Sequence, residues 1–136
     1  MGRIVNISEA VSIGLHGMVI IAQSKEGQVN VNTIAERTGS SKFHVAKVMQ
    51  KLAKDGFLGS NRGPSGGFFL AKAPTEIRLI DIYEAIEGKL VVTRCPIARP
   101  ICPFKSCIFG NITVKMVKEF KNYVESKTLD DFLKHY

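Results

Sequence analysis

The sequence predicts a mainly α-helical fold with a small β-wing: a winged helix-turn-helix followed by a long C-terminal helix. Three observations predict it. Two short helical segments meet across the compact turn Gly39-Ser40, two β-prone runs (57–61 and 68–72) flank a glycine-rich loop, and apolar residues recur at helical spacing from Ile112 to Val124. With 136 residues, 45% of them hydrophobic, the chain can build one domain with a small appendage around a real core. Mean hydropathy is only +0.06, and no apolar run approaches the length of a membrane span. The densest run, Val11 to Ala22, is broken by polar residues and has neither a basic leader nor a small-residue cleavage site, so a cytoplasmic protein with no membrane partner is expected.

The elements follow in order. Ser8 is placed to cap a helix over 8–23, in which Glu9, Ser12, His16 and Gln23 form one polar stripe on an otherwise apolar cylinder. Lys25 to Gln28 reads as a turn. Asn32 is expected to cap a short helix over 33–38 that Gly39 ends, and Ser40 or Ser41 to cap a second helix reaching Lys54, closed by Asp55-Gly56. The loop Arg62-Gly63-Pro64-Ser65-Gly66-Gly67 is too long for a two-residue hairpin turn, which makes the β-prone pair a wing. Beyond Pro74, helical spacing through Ile77, Ile80, Tyr83 and Ile86 predicts a helix over 76–87 with Gly88 at its end. Residues 89–110 read as a loop bearing proline and cysteine. The last helix, 112–126, carries a stripe (Ile112, Met116, Val117, Phe120, Tyr123, Val124) too apolar to stand alone, so the first helix or a second subunit should cover it.

A net charge of +7 and a pI near 9.5 suit a polyanionic partner, and the placement of that charge is informative. Between Ser41 and Lys54 there are four lysines and no acid. Val45, Val48, Met49 and Leu52 form the inward face, with His44, Lys47 and Lys51 across from it and Lys42 and Lys54 nearby. A helix of this size enters a DNA major groove, where the flanking phosphates favour cations. Arg62 on a glycine-rich wing suits the adjacent minor groove, because glycine lets the backbone approach closely.

These segments resemble a known family. Ile34-Ala35-Glu36, Leu52 to Leu58, the wing Arg62-Gly63-Pro64-Ser65-Gly66-Gly67-Phe68 with Leu70-Ala71, and the helix ending Ala85-Ile86-Glu87-Gly88 are similar to the Rrf-two family of bacterial winged-helix transcriptional regulators, over nearly the whole chain. The resemblance implies a homodimer, joined through the long C-terminal helix, that reads a roughly palindromic double-stranded operator. It places Ser41, Lys42, His44 and Lys47 in the reading helix, and Arg62 and Ser65 in the wing. It divides the chain into a DNA-binding domain (1–88), a sensor loop (89–110) and a dimerisation helix with its tail (111–136). Where family members often have Tyr-Leu-Glu early in the reading helix, this chain has His44-Val45-Ala46, so no relative's operator carries over.

Three cysteines, Cys95, Cys102 and Cys107, lie with six and then four residues between them, two of them followed by proline. In a reducing compartment such a cluster points to a metal or redox site rather than a disulfide framework. Thiolates suit an iron–sulfur cluster or zinc, and either usually takes a fourth donor. Cluster-binding members of the family carry three cysteines in this loop at slightly different gaps, which implies an iron–sulfur cluster of 2Fe-2S or 4Fe-4S type. The histidine that follows the third cysteine closely in some members is replaced here by Gly110. Other members complete the cluster from the first helix of the partner subunit, which makes His16 the candidate fourth ligand.

The expected function is that of a repressor whose operator affinity follows the state of a cluster or of thiols at the cysteine loop. The alternatives are a cluster-free regulator controlled by a metabolite or partner protein, and a small iron–sulfur electron carrier, which would need neither wing nor lysine helix. No paired carboxylates, nucleophile constellation or nucleotide-binding loop appears, so catalysis is not expected.

Overall fold

The computed structural model describes residues 7–92 and 102–133. Helix α1 (Glu9–Gln23) starts as anticipated: Ser8 is extended and its hydroxyl accepts the Val11 N–H at 3.2 Å. Val11, Ile13, Met18, Ile20 and Ile21 are buried. Gly17 gives α1 its close approach to the helix that carries Met49, since a Cβ there would lie 2.7 Å from the end of the Met49 side chain.

Helix α2 (Val31–Thr38) is capped by Asn30 instead of Asn32; the Asn30 side chain accepts the Thr33 N–H at 2.8 Å. The reason lies one residue earlier. Val29 exchanges two backbone hydrogen bonds with Phe68, at 2.9 and 2.8 Å, so the chain stays extended to 29 and turns into the helix at 30. Gly39, at φ 71°, ends α2 in the left-handed conformation that glycine adopts freely. Ser41 then caps α3 (Lys42–Lys54), accepting the His44 N–H at 3.1 Å.

Strands β1 (Leu58–Asn61) and β2 (Gly67–Leu70) pair antiparallel, with Leu58 opposite Leu70 and Asn61 opposite Gly67. The helix expected over 76–87 is divided. Pro74–Glu76 forms a 3-10 turn, Ile77 and Arg78 are extended, and α4 runs Leu79–Glu87. The C-terminal segment imposes this break: the Leu79 N–H donates to Lys127 O and the Leu129 N–H to Ile77 O, each at 3.0 Å. Leu129 is fully buried and begins a second 3-10 turn, Leu129–Phe132, in what the sequence offered only as a tail.

Helix α5 (Ile112–Ser126) has its apolar stripe split in two. Thr113, Val117 and Val124 are buried, and Phe120 meets Tyr83 of α4 edge-on at 5.5 Å. The inner face therefore rests on α4. Ile112, Met116 and Tyr123 remain about half exposed along the outer side.

Candidate nucleic-acid interface and cysteine loop

The buried residues of α3 (Val45, Val48, Met49, Leu52) fix which way the helix faces. At 100° per residue the positions directly opposite are Phe43, Lys47, Gln50 and Lys54, and all four are exposed. Two of the expected reading residues sit on the flank. The His44 imidazole is partly buried, with Nδ1 3.3 Å from the Glu9 carboxylate of α1. Lys51 is paired with Asp55, one turn further on, at 3.0 Å. Lys42 is exposed in the first turn. Ser41 accepts its capping bond, which leaves its O–H free to donate outward.

The wing is held from both sides. Its tip is a turn in which the Gly66 N–H donates to Gly63 O at 3.0 Å, with Pro64 at the position whose φ proline presets. Gln28 bridges the limbs: its amide N–H donates to the Ser65 carbonyl, and its Oε1 accepts the Asn61 amide N–H at 2.7 Å. Gly66 and Gly67 pack where a side chain has no room. A Cβ on Gly67 would lie 2.6 Å from the Val29 carbonyl oxygen. Arg62 and Ser65 are exposed at the tip.

Residues 102–110 are exposed throughout, Cys102 and Cys107 with them; Cys95 lies outside the described residues. Cys107 closes a turn at the head of α5, where the Gly110 N–H donates to its carbonyl at 3.0 Å and both Gly110 and Asn111 are left-handed. The backbone N–H of Asn111, then that of Phe109, hold the Cys107 thiol below its ordinary range by hydrogen bonding to the thiolate. Because the charged form is favoured, the thiolate persists to lower pH. Iodoacetamide labelling of metal-free protein, followed by mass spectrometry, is expected to give a Cys107 rate profile with its midpoint below the usual thiol range. A midpoint at or above that range would contradict the turn geometry.

His16 is exposed on α1, and its Nδ1 lies 2.7 Å from Ser12 O. A carbonyl only accepts, so the neutral ring carries its proton on Nδ1 and presents the Nε2 lone pair outward, the arrangement metal-binding histidines use. Among the described residues no three His, Cys, Asp or Glu side chains group as metal ligands, and His16 is not grouped with Cys102 and Cys107. Thiolates and an imidazole are donors that suit a cluster, but the described residues do not bring them together.

Comparison with known proteins decides the family. The Rrf2 family model, described as an iron-dependent transcriptional regulator, matches residues 7–135. The chain belongs to the Rrf2 family. The HTH-type transcriptional regulator IscR of Pectobacterium carotovorum is 26% identical over 114 residues, spanning 84% of this chain and 70% of the relative. Among solved structures, T. potens IscR is 30% identical with a TM-score of 0.72, covering 96% of this chain and 87% of that one. CymR, the global cysteine regulator of B. subtilis, superimposes with a TM-score of 0.77 over 97% of this chain and 98% of its own, at 22% identity, a likeness of fold.

The chain is therefore an Rrf2 transcriptional regulator that binds DNA, and not an enzyme. Among the described residues no helix is long and apolar enough to cross a membrane. Two residues on the outer face of this Rrf2 protein, Phe43 and Gln50, escaped the sequence reading. Basic charge was the signal it followed, and neither residue carries any. Helical phase counted from the inward set Val45-Val48-Met49-Leu52 was the signal that could have found them.

Proposed function

We propose that this Rrf2 regulator is a cytoplasmic, homodimeric repressor. Its α3 enters the major groove of a palindromic operator, and its affinity follows an iron–sulfur cluster or thiol state at the cysteine loop. The observation that carries the DNA half is the exposed, acid-free outer face of α3, flanked by Ser41 and Lys42 and accompanied by Arg62 and Ser65 on the braced wing. Lys47→Ala and Arg62→Ala are each expected to weaken binding to genomic fragments. If Lys47 meets a phosphate, its removal lowers the slope of log K against log salt by about 0.9. Unchanged affinity and slope in both variants would overturn the assignment.

The half-exposed row Ile112, Met116 and Tyr123 supports dimerisation through α5, because a second copy would cover it. Dimerisation would also bring a donor from a second copy to the cysteine loop. In this reading Cys95, Cys102 and Cys107 of one subunit and His16 Nε2 of the other hold the cluster, whose oxidation or loss supplies the signal. The route to the DNA is a chain of polar contacts. Leu90, at the start of the loop, donates its N–H to Glu84 of α4 at 2.8 Å; Glu87 accepts the Ser8 hydroxyl; and Glu9, the next residue, holds His44 of α3. A shift of the loop can tilt α3 by this path and alter the spacing between half-sites.

Protein purified without oxygen is expected to be brown, and Cys102→Ala to remove the colour and the iron. His16→Ala is expected to shorten the lifetime of the colour. Colourless wild-type protein without iron would sink the cluster. The stabilised Cys107 thiolate favours a second reading, direct thiol oxidation, in which colourless protein changes its DNA affinity on treatment with peroxide.

A further inference from the structure

We infer that Phe43 reads the 5-methyl group of a thymine in the operator's major groove and is a sequence-discriminating residue of this regulator. The inference rests on the insertion of α3 proposed above, and its own support is the placement of one side chain. Phe43 is 81% exposed, more than any other large apolar side chain among the described residues. A folded domain gains nothing by holding a phenyl ring in water. Position 43 is in the first turn of α3, on the outward stripe with Lys47 and Gln50, and it is the N-terminal part of a recognition helix that meets base edges.

The surroundings identify the occupant. The other exposed residues of α3 are Lys42, Lys47, Gln50, Lys51 and Lys54, none of them acidic, a setting that suits a polyanion better than an apolar protein surface. The other exposed apolar residues near the C-terminal half, Ile108, Phe109, Ile112, Met116 and Tyr123, belong to the cysteine loop and α5. On α3 itself Phe43 is the one exposed large apolar side chain, set among lysines and Gln50. A phenyl ring has no donor or acceptor, so it gains nothing from phosphates or from the polar edges of guanine, adenine or cytosine. The thymine methyl is the one apolar group that the four bases display in the major groove.

The test is a cycle between protein and DNA. Duplexes selected from a random library by the full chain are resynthesised with each thymine replaced in turn by deoxyuridine, which deletes only the methyl group. Affinities are then measured by fluorescence anisotropy for the wild type, Phe43→Ala and Lys47→Ala. At one or more positions the wild type is expected to lose about four-fold per methyl, while Phe43→Ala is indifferent to the replacement. Phe43→Ala on the thymine duplex should bind no better than the wild type on the deoxyuridine duplex. Circular dichroism should match the wild type, since the ring lies outside the core. If deoxyuridine changes nothing for the wild type, or weakens both proteins equally, the inference falls. A weakened Lys47→Ala alongside a flat methyl cycle removes Phe43 alone. Unchanged affinity in Lys47→Ala and Phe43→Ala together removes the groove assignment itself.

Discussion

Leu52→Ala is expected to lower the stability of the folded chain by about 2–5 kcal/mol, the range for truncating a leucine in a close-packed core. Leu52 is completely buried, on the inward face of α3 with Val45, Val48 and Met49. Its removal strips apolar contact and leaves a cavity beside two tightly approaching helices, because Gly17 lets Met49 of α3 lie close against α1 and limits how far the site can collapse. Domains of this size are stable by only about 5–15 kcal/mol, so the loss should depress the melting temperature by roughly 10 °C or more. Lys47→Ala, on the opposite side of the same helix, should change the melting temperature little while weakening DNA binding. Thermal unfolding of the two variants separates the packing face from the outer face. If Leu52→Ala melted within a degree or two of the wild type, the orientation assigned to α3 would be wrong.

Gly67→Ala is the second large effect. The methyl group would press on the backbone of Val29 and Asn30, with 2.6 Å to the Val29 oxygen and 3.0 Å to the Asn30 nitrogen, and backbone cannot rotate out of the way as a side chain can. To accommodate it the wing must swing off the strand segment at Val29, breaking the two hydrogen bonds between Val29 and Phe68. Gln28 would lose its hold on Ser65 and Asn61 at the same time. The expected outcome is a loss of about 1–3 kcal/mol in stability, typical of overpacking, and a fall in operator affinity of about ten-fold as Arg62 and Ser65 leave their positions. Equilibrium unfolding and anisotropy on one preparation measure both. Wild-type stability and affinity together would show that the wing is not braced as described.

Much of this was legible in the sequence because it depends on neighbours a few residues apart. Ser8 and Ser41 cap α1 and α3 by accepting N–H groups three residues on, and Gly39 and Gly88 end α2 and α4. The apolar spacing of α3 marked its inner face, that of α5 marked a stripe of which only part turned inward, and the Arg62 to Phe68 segment marked the wing and, with the helix after it, the family. The candidate site was legible by residue type and less so by position. The lysines of α3 advertised a basic face, but Lys51 turned to Asp55 and His44 to Glu9, leaving Phe43 and Gln50 on the outermost line with Lys47.

What the tertiary structure alone decided shares one physical origin: pairing between residues remote in the chain. Asn30 caps α2 because Val29 is drawn into the wing by Phe68. The helix expected from 76 breaks at Ile77 and Arg78 because the segment 127–129 claims the Ile77 carbonyl and the Leu79 N–H, and Leu129 enters the core by the same pairing. The spacing of α5 showed that its stripe needed cover, and Tyr83 of α4 shows which half has it. By itself the sequence determined the order of the main helices and the wing, the inward face of α3, most of the caps and the family to which they add up, since each is encoded within a turn or two of helix. The exact helix starts, the bracing of the wing and the turning of His44 towards Glu9 come from backbone and side-chain partners tens of residues away, and such partners leave no local periodicity to read.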